Sequence, residues 1–286
     1  MKILLRFGLL LSILAPIQSV AAQFGGLPPP PPIQPQTRQL KDQMPTAERS
    51  LTTIAPPTME PEEAKAYKAF FDIKPDAVDQ QIQAGEQFVQ KYPTGQYTEP
   101  VYAHLVAAYY QKQELDKMYA AADKALALNP DDVAVLSLVG WVIPHHYDPD
   151  DPESDKLLAK AAGYEKHVLE ILATMPKPAN MTDDQFAKAK ATTTAQANSG
   201  LGLVYFRQED WKNSVSQMQK ATDGDPNPDP VDLYILGMGL SKLNRYGEAA
   251  DSFQKCSQMP GGMQDRCKQK AAEAKTQTTS QPVPPK

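Results

Sequence analysis

The sequence predicts an all-α fold built from a helical hairpin that repeats along the chain, and three observations lead to this prediction. In residues 99–132, apolar side chains recur at helical spacing in two successive segments, and Asn129-Pro130 ends the second one. The same spacing returns twice near the C-terminus, and small residues stand where the two helices of a hairpin would meet. The apolar positions of the first unit are Tyr102, Leu105 and Tyr109 on one helix and Met118, Ala122 and Ala125 on the other. One such hairpin cannot bury its apolar face alone, so the pattern predicts a stack of hairpins.

The two C-terminal units start at Ala195 and Pro230, which are 35 residues apart. This spacing is close to the period of roughly 34 residues that is typical of one class of helical repeat. The matching residues are Leu201-Gly202-x-x-Tyr205, Leu236-Gly237 and Tyr246-Gly247-Glu248-Ala249-Ala250-x-x-Phe253. Through them the chain resembles the tetratricopeptide-repeat family. The resemblance implies a right-handed superhelical solenoid with a long insert in the middle and a C-terminal capping helix.

The helices can be placed in order along this solenoid. Pro61-Glu62-Glu63 is typical of a helix start, and Tyr92-Pro93 ends the first hairpin. The phrase from Gln87 to Pro93 also resembles the repeats of exported bacterial envelope proteins. The expected segments are a signal peptide at 1–22, a Pro-rich disordered linker at 23–58, the solenoid at 59–275 and a disordered tail at 276–286. The expected units of the solenoid are hairpins at about 60–94, 99–132, 133–175 with the insert, 183–228 and 230–260, and a cap at 262–275.

The N-terminus has the features of a secretory signal peptide. Lys2 and Arg6 precede a short apolar run, and Val20-Ala21-Ala22 offers small residues for cleavage before Gln23. An uncleaved membrane anchor is the alternative, but the run is short and Pro16 interrupts it. We therefore expect an exported protein, periplasmic or extracellular, that has no membrane span after cleavage. The Pro-rich linker is interpreted as a spacer, with a ligand for a groove elsewhere as the alternative.

Charge argues against nucleic acid as a partner. The whole chain carries a formal net charge of −5, and loss of residues 1–22 removes two cations and no acid, which leaves −7. Proteins that bind nucleic acid instead present a basic face. No phosphate-binding loop or nucleophile motif is present either, so we expect neither an enzyme nor a bound cofactor.

The two cysteines, Cys256 and Cys267, are expected to form a disulfide. Export would place them where disulfides persist, and a turn at Pro260-Gly261-Gly262 would bring them together. The bond would attach the terminal helix to the solenoid. Two buried thiols are the alternative.

The central unit departs from the repeat. Residues 144–152 are not expected to be helical, Ser154 is expected to cap the next helix, and Thr182 with Gln185 forms a capping box for the one after it. The loop contains His145, His146, Asp148, Asp150 and Asp151, the residue types that bind metals. Their spacing does not match a known metal motif, so a solvated loop is favoured over a metal-dependent enzyme site.

The family resemblance implies that the first helix of each hairpin lines a concave binding face. The positions transferred in this way are Ala103, Ala107, Tyr110, Gln111, Ser137, Trp141, Ser199, Leu203, Phe206, Arg207, Tyr234, Met238, Ser241 and Lys242. Aromatic and Arg side chains are common anchors in protein interfaces, so we expect a non-enzymatic adaptor that binds a peptide or protein of the cell envelope. Self-association into a structural scaffold is the alternative. Family members that clamp a C-terminal carboxylate do so with Lys and Asn, which the matching positions here lack.

Overall fold

The computed structural model describes residues 61–178, 181–225 and 227–280 of the 286-residue chain. Within these ranges the chain forms helices and no strand. The helices are α1 (Pro61–Phe71), α2 (Val78–Lys91), α3 (Thr98–Gln111), α4 (Leu115–Leu128), α5 (Val133–His145), α6 (Ser154–Thr174), α7 (Asp183–Arg207), α8 (Trp211–Gly224), α9 (Pro230–Lys242), α10 (Tyr246–Ser257) and α11 (Gln264–Ser280). The predicted signal peptide and the whole of the predicted linker lie outside the described residues.

Each helix packs mainly against its neighbours in the chain, which is the arrangement of a helical-repeat solenoid. One apolar core runs through α1 to α6 and includes Val204 of α7, and a second runs through α7 to α11. A third cluster joins them where α5, α6 and α7 meet, and it contains Val133, Leu136, Val168, Leu172 and Ala197. The all-α repeat fold predicted from the sequence is confirmed.

Three of the hairpins turn in the same way. The turn residues Gln113, Glu209 and Asn244 all have left-handed backbone conformations, with φ of 60°, 58° and 59°. After each first helix, two successive backbone N–H groups donate hydrogen bonds to carbonyls at the end of that helix. The first donates to the carbonyl three residues back, and the second donates to the carbonyl five residues back. The donors and acceptors are Gln113 to Tyr110, Glu114 to Tyr109, Glu209 to Phe206, Asp210 to Tyr205, Asn244 to Ser241 and Arg245 to Leu240. The repeat is therefore visible in the backbone as well as in the sequence.

Glycines in the first helix of a hairpin let the second helix approach closely. A Cβ atom on Gly202 would lie 2.8 Å from Cγ of Met218, and one on Gly237 would lie 2.6 Å from Cε1 of Phe253. Both partner side chains are fully buried. The sequence interpretation of these glycines as packing residues is thus supported by their contacts.

The central hairpin differs from the prediction at two points. Pro144 lies inside α5 instead of ending it, because the helix stops at His145 and loses little from the missing N–H of the proline. Ser154 is the first residue of α6 and is buried; Glu153 is the cap and forms no side-chain capping bond. The Thr182 and Gln185 capping box at the start of α7 is present as predicted.

The C-terminal helix is longer than predicted. The disordered tail was expected from Thr276, yet α11 continues to Ser280. Threonine hydroxyls support this last stretch by donating to carbonyls of the helix, from Thr276 to Ala272 and from Thr278 to Ala274. The Cys256–Cys267 disulfide is present and joins α10 to α11, with Cα atoms 5.8 Å apart.

None of the helices in the described ranges combines the length and the apolar character that a membrane crossing requires.

Candidate protein-interaction surface

The structure divides the predicted concave-face residues by exposure. Six are buried and pack inside the solenoid, namely Ala103, Tyr110, Ser137, Ser199, Leu203 and Tyr234. Six are partly exposed, namely Ala107, Trp141, Phe206, Arg207, Met238 and Ser241. Gln111 and Lys242 are exposed. Only the last two groups have surface that a partner could contact.

Ser199 illustrates why some of these side chains are not free. Its hydroxyl donates a hydrogen bond of 2.6 Å to Oδ1 of Asp232, which links α7 to α9. Burial, and next the charge of Asp229, raise the pKa of Asp232 to about 7. This pair is part of the packing between hairpins.

The exposed edge of Trp141 belongs to an aromatic group on α3 and α5. Its ring lies edge-on to Tyr110, with centroids 6.4 Å apart, and 4.0 Å from the ring of His145. The Nδ1 atom of His145 is 2.7 Å from the Trp141 carbonyl, and burial lowers the pKa of His145 to about 4. His145 is therefore neutral at physiological pH and serves to hold the indole in place.

Arg207 connects this group to α7. Its Nε donates a 3.0 Å hydrogen bond to the carbonyl of Pro144, near the end of α5. Its guanidinium also lies over the ring of Tyr147, 5.8 Å from the centroid. A cation and a phenol ring are thereby positioned at the C-terminal end of α5, the helix that carries Trp141.

A second aromatic group follows at once along α7. Phe206 meets Trp211 edge-to-face at 5.2 Å, and the ammonium of Lys242 lies 5.3 Å from the Trp211 centroid. Phe206 and Arg207 are the last two residues of α7, so both groups lie at the same end of that helix. We call the two groups together the aromatic strip, and it consists of Trp141, Tyr147, Phe206, Arg207, Trp211 and Lys242.

The two cations of the aromatic strip have no acidic partner in the part of the chain that the structure describes. The salt bridges there involve other Lys, Arg and His residues, mostly on the exposed helix surfaces. Arg207 and Lys242 instead contact a carbonyl and aromatic rings. Their remaining N–H groups can donate to a bound molecule.

The His-Asp loop does not converge on a centre. His145 turns toward Trp141, while Asp148 and Asp151 accept hydrogen bonds from backbone N–H groups within the loop. Among residues 61–178, 181–225 and 227–280, no group of three or more His, Cys, Asp or Glu side chains is placed to hold a metal ion. The geometry suits a loop that supports the aromatic strip.

Two members of the aromatic strip were missed by sequence reasoning. Tyr147 lies in the insert, where the repeat register is lost, and Trp211 opens the second helix of its hairpin instead of the first. The transfer of positions covered first helices only. For Trp211 the available signal was its place directly after the hairpin turn at Glu209.

The comparisons with known proteins concern the fold. No family model matches the chain, and no curated protein matches it. Among solved structures, the chain is similar to PilW, described as a widely conserved type IV pilus biogenesis factor. The similarity has a TM-score of 0.50 at 14% identity and covers 77% of this chain and 93% of that one. At this identity the likeness shows a shared helical architecture.

Proposed function

We propose that this protein is a non-enzymatic scaffold of the tetratricopeptide-repeat type that binds an extended segment of another cell-envelope protein on its aromatic strip. The observation that carries the proposal is two sets of contacts at one end of α7: Arg207 with Pro144 and Tyr147, and Trp211 with Phe206 and Lys242. These contacts hold aromatic rings and cations together across α5, α7, α8 and α9.

The chemistry of the aromatic strip favours a peptide guest. Half-buried Trp, Tyr and Arg side chains are the residues that contribute most to protein interfaces. Here each is held by a neighbour, so little side-chain freedom is lost when a partner binds. Unused N–H groups on the indoles and cations fit the carbonyls of an extended backbone.

Export is part of the proposal. The N-terminal sequence is typical of a signal peptide, and the Cys256–Cys267 bond suits an oxidising compartment. The fold similarity to PilW, a type IV pilus biogenesis factor, is in keeping with an envelope role. In the repeat family the first helices line the inner face of a right-handed superhelix, and here first helices carry Trp141, Phe206, Arg207 and Lys242.

The test removes one ring and one ammonium from the aromatic strip. Phe206→Ala combined with Lys242→Ala deletes two contacts of Trp211 and leaves the hydrogen bond of Arg207 in place. We expect capture of the partner from detergent-solubilised envelopes, measured by quantitative mass spectrometry, to fall about tenfold, which corresponds to about 1.4 kcal/mol.

The matched control removes the same chemistry elsewhere. Phe71 is 59% exposed and the Lys68 side chain 76% exposed, both on α1. Phe71→Ala combined with Lys68→Ala should leave capture unchanged. Circular dichroism checks that both double variants are folded. Equal capture by the two would place the binding surface elsewhere.

A further inference from the structure

We infer that Glu165 controls the contact between α5 and α7, so that loss of its proton separates the two helices and breaks the hydrogen bond from Arg207 to Pro144. The contact is closed at low pH and open at high pH. The movement is a property of the chain without a partner, so it goes beyond the proposed function and can be measured apart from it.

Glu165 lies in the middle of the buried face of α6. The completely or almost completely buried side chains on either side of it recur at helical spacing, and they are Leu158, Ala161, Val168 and Leu172. One oxygen of its carboxyl group, Oε1, would overlap a Cβ atom placed on Gly140 of α5 or on Gly200 of α7. In the described ranges neither carboxyl oxygen has a hydrogen-bond partner. Three helices therefore meet at a carboxyl group that nothing satisfies.

The charged groups around α6 do not stabilise an ionised Glu165. Within two turns of the two glycines, the titratable side chains are His145, His146, Tyr147, Tyr205 and Arg207. Toward α4 and the turn that follows it, Lys160 of α6 pairs with Asp123, and His167 pairs with Asp131. Burial alone raises the pKa of Glu165, and no charge contributes to the shift. The carboxyl group is thus stable in place only while it holds its proton.

An ionised carboxylate has to be hydrated, and the closed packing leaves no space for water. A methyl group on Gly140 would lie 2.7 Å from Oε1, which is already an overlap. A water molecule needs more room than a bonded methyl group, because it must stay farther from the glycine carbon. Water that hydrogen-bonds to the carboxylate lies about 2.8 Å from its oxygen, so a neighbouring helix has to move away by about 3 Å.

Of the three helices, α7 is the one that the apolar clusters at this point hold least. It contributes one residue, Val204, to the core of α1 to α6, and one, Ala197, to the cluster that joins the two cores. Toward the C-terminus it is held better: the Ser214 hydroxyl of α8 donates to the Gly202 carbonyl, and Ser199 donates to Asp232 of α9. We therefore expect α7 to leave α5 together with the C-terminal helices.

The hydrogen bond of Arg207 lies on the same line of contact. Gly200, Val204 and Arg207 share one face of α7 because they are four and three residues apart, and Gly140 and Pro144 share one face of α5. Nε of Arg207 donates to the Pro144 carbonyl over 3.0 Å. A displacement of about 3 Å exceeds what a hydrogen bond tolerates, since the bond is lost beyond about 3.5 Å. Ionisation of Glu165 is in this way coupled to the surface that carries Arg207.

The distance between spin labels on α5 and α7 tests the movement directly. His146→Cys and Gln208→Cys place the labels on exposed residues that follow the two helices, beside the Pro144 and Arg207 pair. The native cysteines form a disulfide and do not take up label. As the pH is raised from about 5, we expect the mean distance from pulsed electron paramagnetic resonance to increase by about 3 Å. Glu165→Gln in the same labelled chain should keep the short distance at every pH.

Ionisation itself is followed by infrared spectroscopy, as the loss of the protonated carboxyl C=O band that Glu165→Gln lacks. Glu165→Met, which also cannot ionise, replaces Glu165→Gln if circular dichroism shows that the latter is not folded.

A matched control keeps one label and moves the other. Gln208→Cys with Lys242→Cys spans α7 and α9, and both residues are exposed. This pair crosses the contact of Ser199 with Asp232, the other buried carboxyl group, whose pKa is about 7. Its distance should be the same with Glu165 and with Glu165→Gln at every pH, so any effect of Asp232 is separated from that of Glu165.

Two results would overturn the inference. The first is an unchanged distance between the labels at 146 and 208 after the infrared band has disappeared, because α6 would then have moved alone. The second is an equal increase in Glu165→Gln, because another group would then be the cause.

The outcome is independent of the proposed function. If the helices do not separate, the loss of partner capture by Phe206→Ala with Lys242→Ala still stands. If they separate but that double variant captures the partner normally, the proposed function fails and the movement remains. When both hold, capture by the unaltered chain should fall as Glu165 ionises, whereas Glu165→Gln should keep it.

Discussion

Glu165 gives the sharpest test of the packing, because it occupies a position that the other hairpins fill with an apolar side chain. In the last two hairpins, the glycine of the first helix faces Met218 or Phe253 of the second. In the central hairpin, a Cβ on Gly140 would lie 2.7 Å from Oε1 of Glu165. A Cβ on Gly200 of α7 would also come into close contact with the same carboxyl group. The side chain is 0% exposed, and neither oxygen has a hydrogen-bond partner in the described structure. Burial raises the pKa of Glu165 well above its usual value.

The consequence is a stability that depends on pH in a defined direction. In the folded chain Glu165 keeps its proton above the pH at which the unfolded chain loses it, near 4.3. The contribution of Glu165 to the free energy of unfolding is fully present below that pH. As the pH rises, it falls by about 1.4 kcal/mol for each pH unit until the carboxyl group of the folded chain also ionises. Glu165→Gln mimics the protonated form and cannot ionise. As the pH rises from about 5, the free energy of unfolding of Glu165→Gln should therefore increase relative to that of the unaltered chain by about 1.4 kcal/mol per pH unit.

The assay is urea unfolding followed by far-UV circular dichroism at several pH values, analysed by linear extrapolation. Other titrating groups contribute equally to both proteins, so the difference between them isolates Glu165. Glu170→Gln on the same helix, where the side chain is 77% exposed, should show a much smaller change with pH. Glu165→Met, which places the residue of the next hairpin in this position, should stabilise the chain by about 1–4 kcal/mol above neutral pH. A pH-independent difference between the unaltered chain and Glu165→Gln would refute the reasoning.

Three further expectations concern stability. Gly237→Ala should cost about 1–3 kcal/mol in urea unfolding because its Cβ would meet the Phe253 ring. Gly163→Ala, in a helix with nothing within 4 Å, should add about 0.5–1 kcal/mol, and equal effects would contradict the packing. Glu209→Gly should raise the midpoint of thermal unfolding because the turn needs φ near 58°, with Glu209→Ala as the control that gains nothing. Reduction of the Cys256–Cys267 bond, which closes a separation of 11 residues, should lower the free energy of unfolding by about 3 kcal/mol. Thiol titration of the unfolded, unreduced chain should find no free thiol.

The insert shows where periodicity stops being informative. Pro144 and the His-Asp run predict a break, yet the helix passes through Pro144, whose carbonyl then accepts from Arg207 of α7. That hydrogen bond spans 63 residues, so the local sequence contains no sign of it. A helix can contain a proline near its end when the lost N–H bond is one of the last in the helix.

The candidate surface shows the same division. The positions transferred from the family include Trp141, Phe206, Arg207 and Lys242, which are at least partly exposed, and also Tyr110, which is 1% exposed. Exposure depends on how deeply the next hairpin packs over a residue, and that depth is set by side chains far along the chain.

By itself, the sequence determined that the chain is helical, that its hairpins repeat, and that Cys256 lies within reach of Cys267. These properties follow from spacing within a few turns of helix, which is encoded locally. The tertiary structure alone decided that Glu165 is sealed between two glycines, and that Tyr147 and Trp211 join residues of α5, α7 and α9 in one surface. Both outcomes depend on contacts between hairpins, and the energy of such a contact is defined only once the helices have stacked.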